Sequence, residues 1–166
     1  MGGRSVKIDQ LLAKGVSIPS PESIEIGNNV SVDRISAEGV TIHAGCKIFG
    51  SSTYISRNVV IGREGPVTIE DCQIGPKVFL GSGFFSNAVF LEGVRAGSNA
   101  HVRLGTIMEE GSSLAHTVGL KQTILFPFAT LGSMINFCDC LLAGGTDSRN
   151  HSEVGSSYIH FNYTPD

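Results

Sequence analysis

Residues 67–82 read V-T-I-E-D-C-Q-I-G-P-K-V-F-L-G-S. Two short apolar-x-apolar pairs, Val67/Ile69 and Val78/Leu80, bracket a Gly-Pro, and Ile74 recurs six positions later as Leu80. Alternation over so few residues marks strand, because successive side chains point to opposite faces. Gly and Pro punctuate the runs. The same grammar extends in both directions: Ile24/Ile26, Val30/Val32 and Val40/Ile42 before this stretch, Val89/Leu91 and Val118/Leu120 after it. Many pairs lead into Gly and polar residues, as in I-G-N-N-V, I-G-R-E-G and V-G-S-S-Y. Six-residue steps recur from Ile26 to Val32, Ile42 to Ile48 and Leu114 to Leu120. An internal repeat on this scale decides the fold before any single residue does.

The six-residue period has a physical reading. Each hexad is one short strand and one tight turn, and three hexads make a triangular coil of roughly 18 residues. Coils stack by parallel pairing, with the apolar residue of each hexad pointing inward. The glycine after it is expected to give the corner its backbone freedom. Residues 16–166 hold roughly eight such coils at that period. A sandwich of antiparallel strands is the competing fold, and it needs more two-residue hairpin turns than this chain offers.

Only residues 5–14 carry a helical period, with Val6, Ile8, Leu11 and Leu12 assigned to one face and Gly15 ending the turn. The chain therefore divides into a helical cap, residues 1–15, and an all-β repeat domain, residues 16–166. Residues 49–58 and 81–88 disturb the register, and residues 143–153 (A-G-G-T-D-S-R-N-H-S-E) read as a polar loop, a common place for function. The end at Y-T-P-D carries no capping element. An open coil exposes unpaired backbone groups, so either a partner covers it or the chain continues.

With 166 residues, the chain is long enough to bury a substantial core. A net charge of -3 gives no general attraction to nucleic acid or anionic membranes. No apolar run reaches the roughly 20 residues of a membrane span, and the first residues, M-G-G-R-S-V-K, lack a signal-peptide pattern. Cys46, Cys72, Cys138 and Cys140 form no disulfide framework and are expected as free thiols in a reducing cytoplasm. Cys138-x-Cys140 reads as two small apolar residues on one strand face. Zinc would need further soft ligands within reach, so no metal is expected.

The chemistry concentrates in Arg103–Leu125, R-L-G-T-I-M-E-E-G-S-S-L-A-H-T-V-G-L-K-Q-T-I-L. One Arg and one Lys stand in an apolar, Gly-studded repeat that uses charge sparingly. A planar fork and a point charge together suit a phosphate. No Walker loop, nucleophile elbow or dinucleotide fingerprint is present.

The I-G-x-x-V-x pattern resembles the hexapeptide-repeat proteins, which form a left-handed parallel β-helix. That handedness is implied by the resemblance, not by the period. Within that family, residues 100–163 resemble the acetyltransferase domain of the bifunctional bacterial uridyltransferase that makes UDP-N-acetylglucosamine. Its A-R-L-R-P-G-A-E-L appears here as A-H-V-R-L-G-T-I-M, which places Arg103 on the arginine that contacts the substrate phosphate. Its V-E-M-K-K appears as V-G-L-K-Q, which places Lys121 on the sugar-phosphate lysine. Its I-G-A-G-T-I-T-C-N-Y appears as V-G-S-S-Y-I-H-F-N-Y, which places Asn162 and Tyr163 beside acetyl transfer.

The departures are as informative. The family's G-H-L-T-Y is G-S-M-I-N here, from Gly132 to Asn136. Ser133 stands for the catalytic histidine and Asn136 for a substrate-binding tyrosine. Serine cannot replace imidazole as a general base at neutral pH. His116 and His151 are the substitute bases to test, with Asn162 as a polarising group. His101, His116 and His151 lack the close histidine pair of the zinc carbonic anhydrases on this fold. The resemblance implies a homotrimer with ligand sites between neighbours, a sugar phosphate or nucleotide sugar (glucosamine-1-phosphate or UDP-N-acetylglucosamine) as ligand, and acetyl-CoA as co-substrate. A non-catalytic binding or assembly module, or the repeat domain of a larger nucleotidyltransferase, is the alternative.

Overall fold

The computed structural model describes residues 5–157. They form a parallel β-solenoid with three sheets of seven, six and seven short strands, so each coil has three faces. Face one holds Glu25–Ile26, Lys47–Phe49, Val67–Glu70, Gly83–Ser86, Ala100–Val102, Gly119–Lys121 and Asn136–Cys138. Face two runs from Tyr54–Ile55 through Gln73–Ile74, Val89–Phe90, Ile107–Met108 and Ile124–Leu125 to Leu141–Leu142. Face three runs from Thr41–Ile42 through Val60–Ile61, Phe79–Leu80, Arg95–Ala96, Ser113–Leu114 and Ala129–Leu131 to Ser152–Val154. No helix among the described residues is long and apolar enough to cross a membrane.

The solenoid makes about six turns, not the roughly eight expected. The period is uneven. Ile48 pairs with Ile69, 21 positions on, while Ile69 pairs with Phe85, only 16 on. Residues 143–151 lengthen one coil further, so Leu131 pairs with Val154, 23 positions on.

The apolar-x-apolar pairs place both members inward. Val40 and Ile42, Val59 and Ile61, Val78 and Leu80 are all buried on face three. Each stacks on its equivalents above and below, which is how a coil too thin for its own core acquires one. Phe85 and Phe90 meet edge to face in that core, centroids 5.7 Å apart.

The glycine after the inward residue does not turn the corner. In Ile74-Gly75-Pro76-Lys77 the left-handed residue is Lys77, at φ 59°. Gly75 instead lies under the next coil, where a Cβ would sit 2.8 Å from the Phe90 carbonyl oxygen. The corner falls three residues past the inward one, on Asn58 and Asn99, and also on Thr117, Phe128 and Met134. Asn tolerates this conformation, whereas β-branched and bulky residues rarely adopt it. Coil stacking holds the bulky ones there: Phe128 N–H donates to Glu110 O at 2.9 Å and Met134 N–H to His116 O at 3.1 Å.

The helix Val6–Lys14 buries Ile8 and Leu11 and ends at Gly15, φ 109°. Val6 is 70% exposed and does not share their face. At 100° per residue it lies about 200° from Ile8. Lys7 Nζ donates to Asn28 O at 2.6 Å and Lys14 Nζ to Val32 O at 2.9 Å, which fastens the helix to the first coil.

The cysteines correct another expectation. Cys138 is exposed and points outward, whereas Cys140 lies past the corner at Asp139, with its Sγ donating to Cys138 O at 3.1 Å. They share no strand face, because Phe137 and a turn intervene. Cys46 and Cys72 are buried core residues. Burial pushes both thiols up, Cys72 to about 11, so neither supplies thiolate at neutral pH. A thiol reagent at pH 7.5 is expected to label Cys138 in the native protein and to reach Cys46 and Cys72 only after unfolding. Rapid native labelling of Cys72 would contradict this packing.

Candidate functional site

Face one brings the two cations together. His101 pairs with Gly119 and Val102 with Leu120, so Arg103 and Lys121 fall side by side at the strand ends. Arg103 N–H donates to Leu120 O at 2.9 Å, which locks that register. Neighbouring strands lie about 4.8 Å apart. The sequence separation of 18 residues is thus one coil. Arg103 is exposed and Lys121 half-buried, and Cys138 is level with Lys121 one coil further on. Among the described residues neither cation has a carboxylate or hydrogen-bond partner for its side chain. Like charges on adjacent strands repel. An unpaired pair of this kind is electrostatically suited to an anion that offsets both.

Two residues back along the same strands runs a second outward column. Phe84, His101, Gly119 and Asn136 are register partners in turn. Phe84 and His101 meet edge to face, centroids 5.3 Å apart at 81°. Asn136 is exposed and leans over Gly119: a Cβ on Gly119 would be 2.2 Å from Asn136 Oδ1. His101 was not singled out as a ligand-contacting residue by sequence. The signal existed, since A-H-V-R sets His101 and Arg103 two apart and hence on one face.

His116 stands in the corner between faces three and one. The pairing of Leu114 with Leu131 makes it level with Ser133, and Met134 N–H donates back to His116 O. A histidine therefore sits one coil from the serine that departs from the related motif. His116 is exposed, its Nδ1 3.3 Å from Thr117 Oγ1. Ser133 is 6% exposed, and its backbone N–H donates to Ser156 Oγ at 3.0 Å.

His151 is placed elsewhere. Its loop leaves the corner between faces two and three, across face two from the cations. Its Nε2 lies 3.3 Å from Glu153 Oε2. Within one chain the fold does not bring it to Arg103 and Lys121. The loop is shorter than expected, because residues 152 and 153 already belong to the last strand of face three. Asp147 Oδ1 accepts from Arg149 N–H at 2.7 Å and Asn150 N–H at 3.1 Å, which gives the loop its turn. Asn162 and Tyr163 lie outside the described residues.

Face three carries an open groove of about 520 Å³ that no local pattern announced. Glu64, Phe79, Arg95, Ser113, Thr130 and Glu153 line it, each from a different coil or loop. Arg95 lies over the Phe79 ring, 4.5 Å from its centroid. Ser113 and Thr130 hydroxyls are 3.1 Å apart. Its floor includes Gly97, Ala115 and Gly132, so the groove borders the corner that holds His116 and Ser133.

A three-sided parallel solenoid built on this hexad pattern is the fold of the hexapeptide-repeat proteins. No family model matches the chain. Curated relatives do. It is 28% identical over 159 residues to the bifunctional protein GlmU of Cyanothece sp., covering 93% of this chain and 31% of that protein. It is 25% identical over 155 residues to GlmU of Oleidesulfovibrio alaskensis, covering 92% and 30%. It is 26% identical over 149 residues to GlmU of Kineococcus radiotolerans, covering 90% and 28%. The chain thus spans about a third of the length of the relatives it matches.

Proposed function

We propose that this chain binds a sugar phosphate or nucleotide sugar, of the glucosamine-1-phosphate or UDP-N-acetylglucosamine type, with Arg103 and Lys121 on the phosphate. The observation that carries this is the unpaired cation pair at one edge of face one. A GlmU-like acyl transfer from acetyl-CoA is the reaction we assign to the site. In it the acceptor amine attacks the thioester carbonyl, the C–N bond forms, the C–S bond breaks and CoA leaves as its thiol. Neutral His116 is the base that takes the amine proton, from a corner between the face-one cations and the face-three groove. The groove is where we place the extended arm of acetyl-CoA. Asn136 contacts the acceptor, and Asn162 and Tyr163 take their roles from the resemblance alone.

A homotrimer suits this site. On face two, Val89, Ile107, Ile124 and Leu141 form an outward apolar ladder in continuous register, with Leu141 64% exposed. An uncharged ladder across four coils favours a protein partner. Arg103 and Lys121 stand at the rim of that face, so docking there sets a neighbour's residues against them. Four free cysteines favour the cytoplasm. A specific observation supports a second reading, a binding or assembly module without turnover: Ser133 occupies the place of the related histidine.

Thermal shifts with UDP-N-acetylglucosamine, glucosamine-1-phosphate and acetyl-CoA, each alone, test both. A ligand at 100 times its Kd adds about 2.7 kcal/mol, a shift of several degrees for a domain of this size. Shifts with a sugar compound and with acetyl-CoA are expected for the transferase. A shift with the sugar compounds alone favours the binding module. No shift with any of them makes Arg103 and Lys121 ordinary surface charges.

A further inference from the structure

We infer that His101, Gly119 and Asn136 form the specificity column for the organic part of the ligand, and that this column selects an uncharged sugar phosphate over one bearing a free ammonium group. This rests on the reading of Arg103 and Lys121 as the phosphate clamp. A phosphate held at those two side chains directs its ester group either off the strand ends or back across face one. The strand register puts His101 two residues before Arg103, Gly119 two before Lys121, and Asn136 two before Cys138. The missing side chain at Gly119 leaves a low point between His101 and Asn136, which only the Asn136 carboxamide overhangs. His101 is steadied by its edge-to-face contact with Phe84. An imidazole and a carboxamide offer both donors and acceptors, which suits hydroxyls and an acylamino group.

What the column lacks is a carboxylate. The two exposed carboxylates flanking the clamp are Glu70, two coils before Arg103 on the clamp's own column, and Asp139, at the corner past Cys138. Neither stands beside His101, Gly119 or Asn136. A primary ammonium resting here faces two cations and no counter-charge, whereas a hydroxyl or N-acyl group in the same position meets no repulsion. The related motif V-E-M-K-K carries glutamate where Gly119 stands, so the same column with a carboxylate is a different receptor.

The test is calorimetric titration at pH 7 with glucose-1-phosphate, N-acetylglucosamine-1-phosphate and glucosamine-1-phosphate. The wild type is expected to bind the first two about fivefold or more tighter than the third, the size of screened repulsion from two nearby cations. Gly119→Glu is expected to narrow or reverse that ratio, and Gly119→Ala to keep the ratio while weakening both uncharged sugars. Both variants can fold: Gly119 is half-buried on an outward strand face with no positive φ, and the only close atoms are at the far end of Asn136. Equal or preferred binding of glucosamine-1-phosphate by the wild type, with Arg103→Ala still costing affinity, overturns the column and leaves the clamp. No binding of any of the three overturns both.

Discussion

The Arg103→Ala, Lys121→Ala double variant is expected to bind sugar phosphates about a hundredfold more weakly than the wild type. Each charge-assisted hydrogen bond contributes about 1.5–3 kcal/mol, so each single variant is expected to lose about tenfold. The two side chains are adjacent in register and unpaired among the described residues. Removing them costs the fold little, because no internal ion pair is broken and their mutual repulsion goes too. Titration with glucosamine-1-phosphate, alongside a melting curve, separates the two effects. A large drop in Tm would mean that the cations hold the coil together, and unchanged affinity in a well-folded double variant would remove the clamp.

Gly83→Ala is expected to be the most damaging single methyl group in the chain. Gly83 has φ 129°, and a Cβ there would lie 2.0 Å from Ala100 O, a backbone atom of its own register partner. Neither the strain nor the collision can relax through a side chain. A loss of about 3–5 kcal/mol is expected, in the range that marks a backbone lesion, and each kcal/mol lowers Tm by about 2–4 °C at this size. Gly93→Ala is the control. Its φ is 72°, but the nearest atom is 4.0 Å away, so only the left-handed cost of about 1–2 kcal/mol remains. Equal melting temperatures for the two variants would show that coil-to-coil contact is looser at Gly83 than the pairing with Ala100 requires.

Much of the site was legible because a strand writes its faces locally. Arg103 and Lys121 are separated by one period, and a reader who accepts the period has already placed them side by side. Asn136 follows in the same way. His101 was equally legible by alternation and was passed over because it matched no zinc pattern. The face-three groove was not legible at all: Glu64, Arg95, Ser113, Thr130 and Glu153 come from five places in the chain with no motif among them. His151 was overvalued for the same reason, since a loop's sequence does not say which corner it leaves.

The six-residue alternation by itself determined that the chain would coil into three parallel sheets with paired apolar residues inward, because side-chain direction depends only on neighbours two positions away. Gly15 likewise ended the helix by its own conformation. Tertiary structure decided the rest. Gly75 is glycine because another coil passes within contact distance, and Phe128 turns left-handed because Glu110 accepts its N–H. Ser133 meets His116 because that coil happens to be 17 residues long. Coil length is set corner by corner and ranges from 16 to 23 residues across the pairings. Which outward side chains become neighbours is therefore a sum over every turn between them, and no local stretch records that sum.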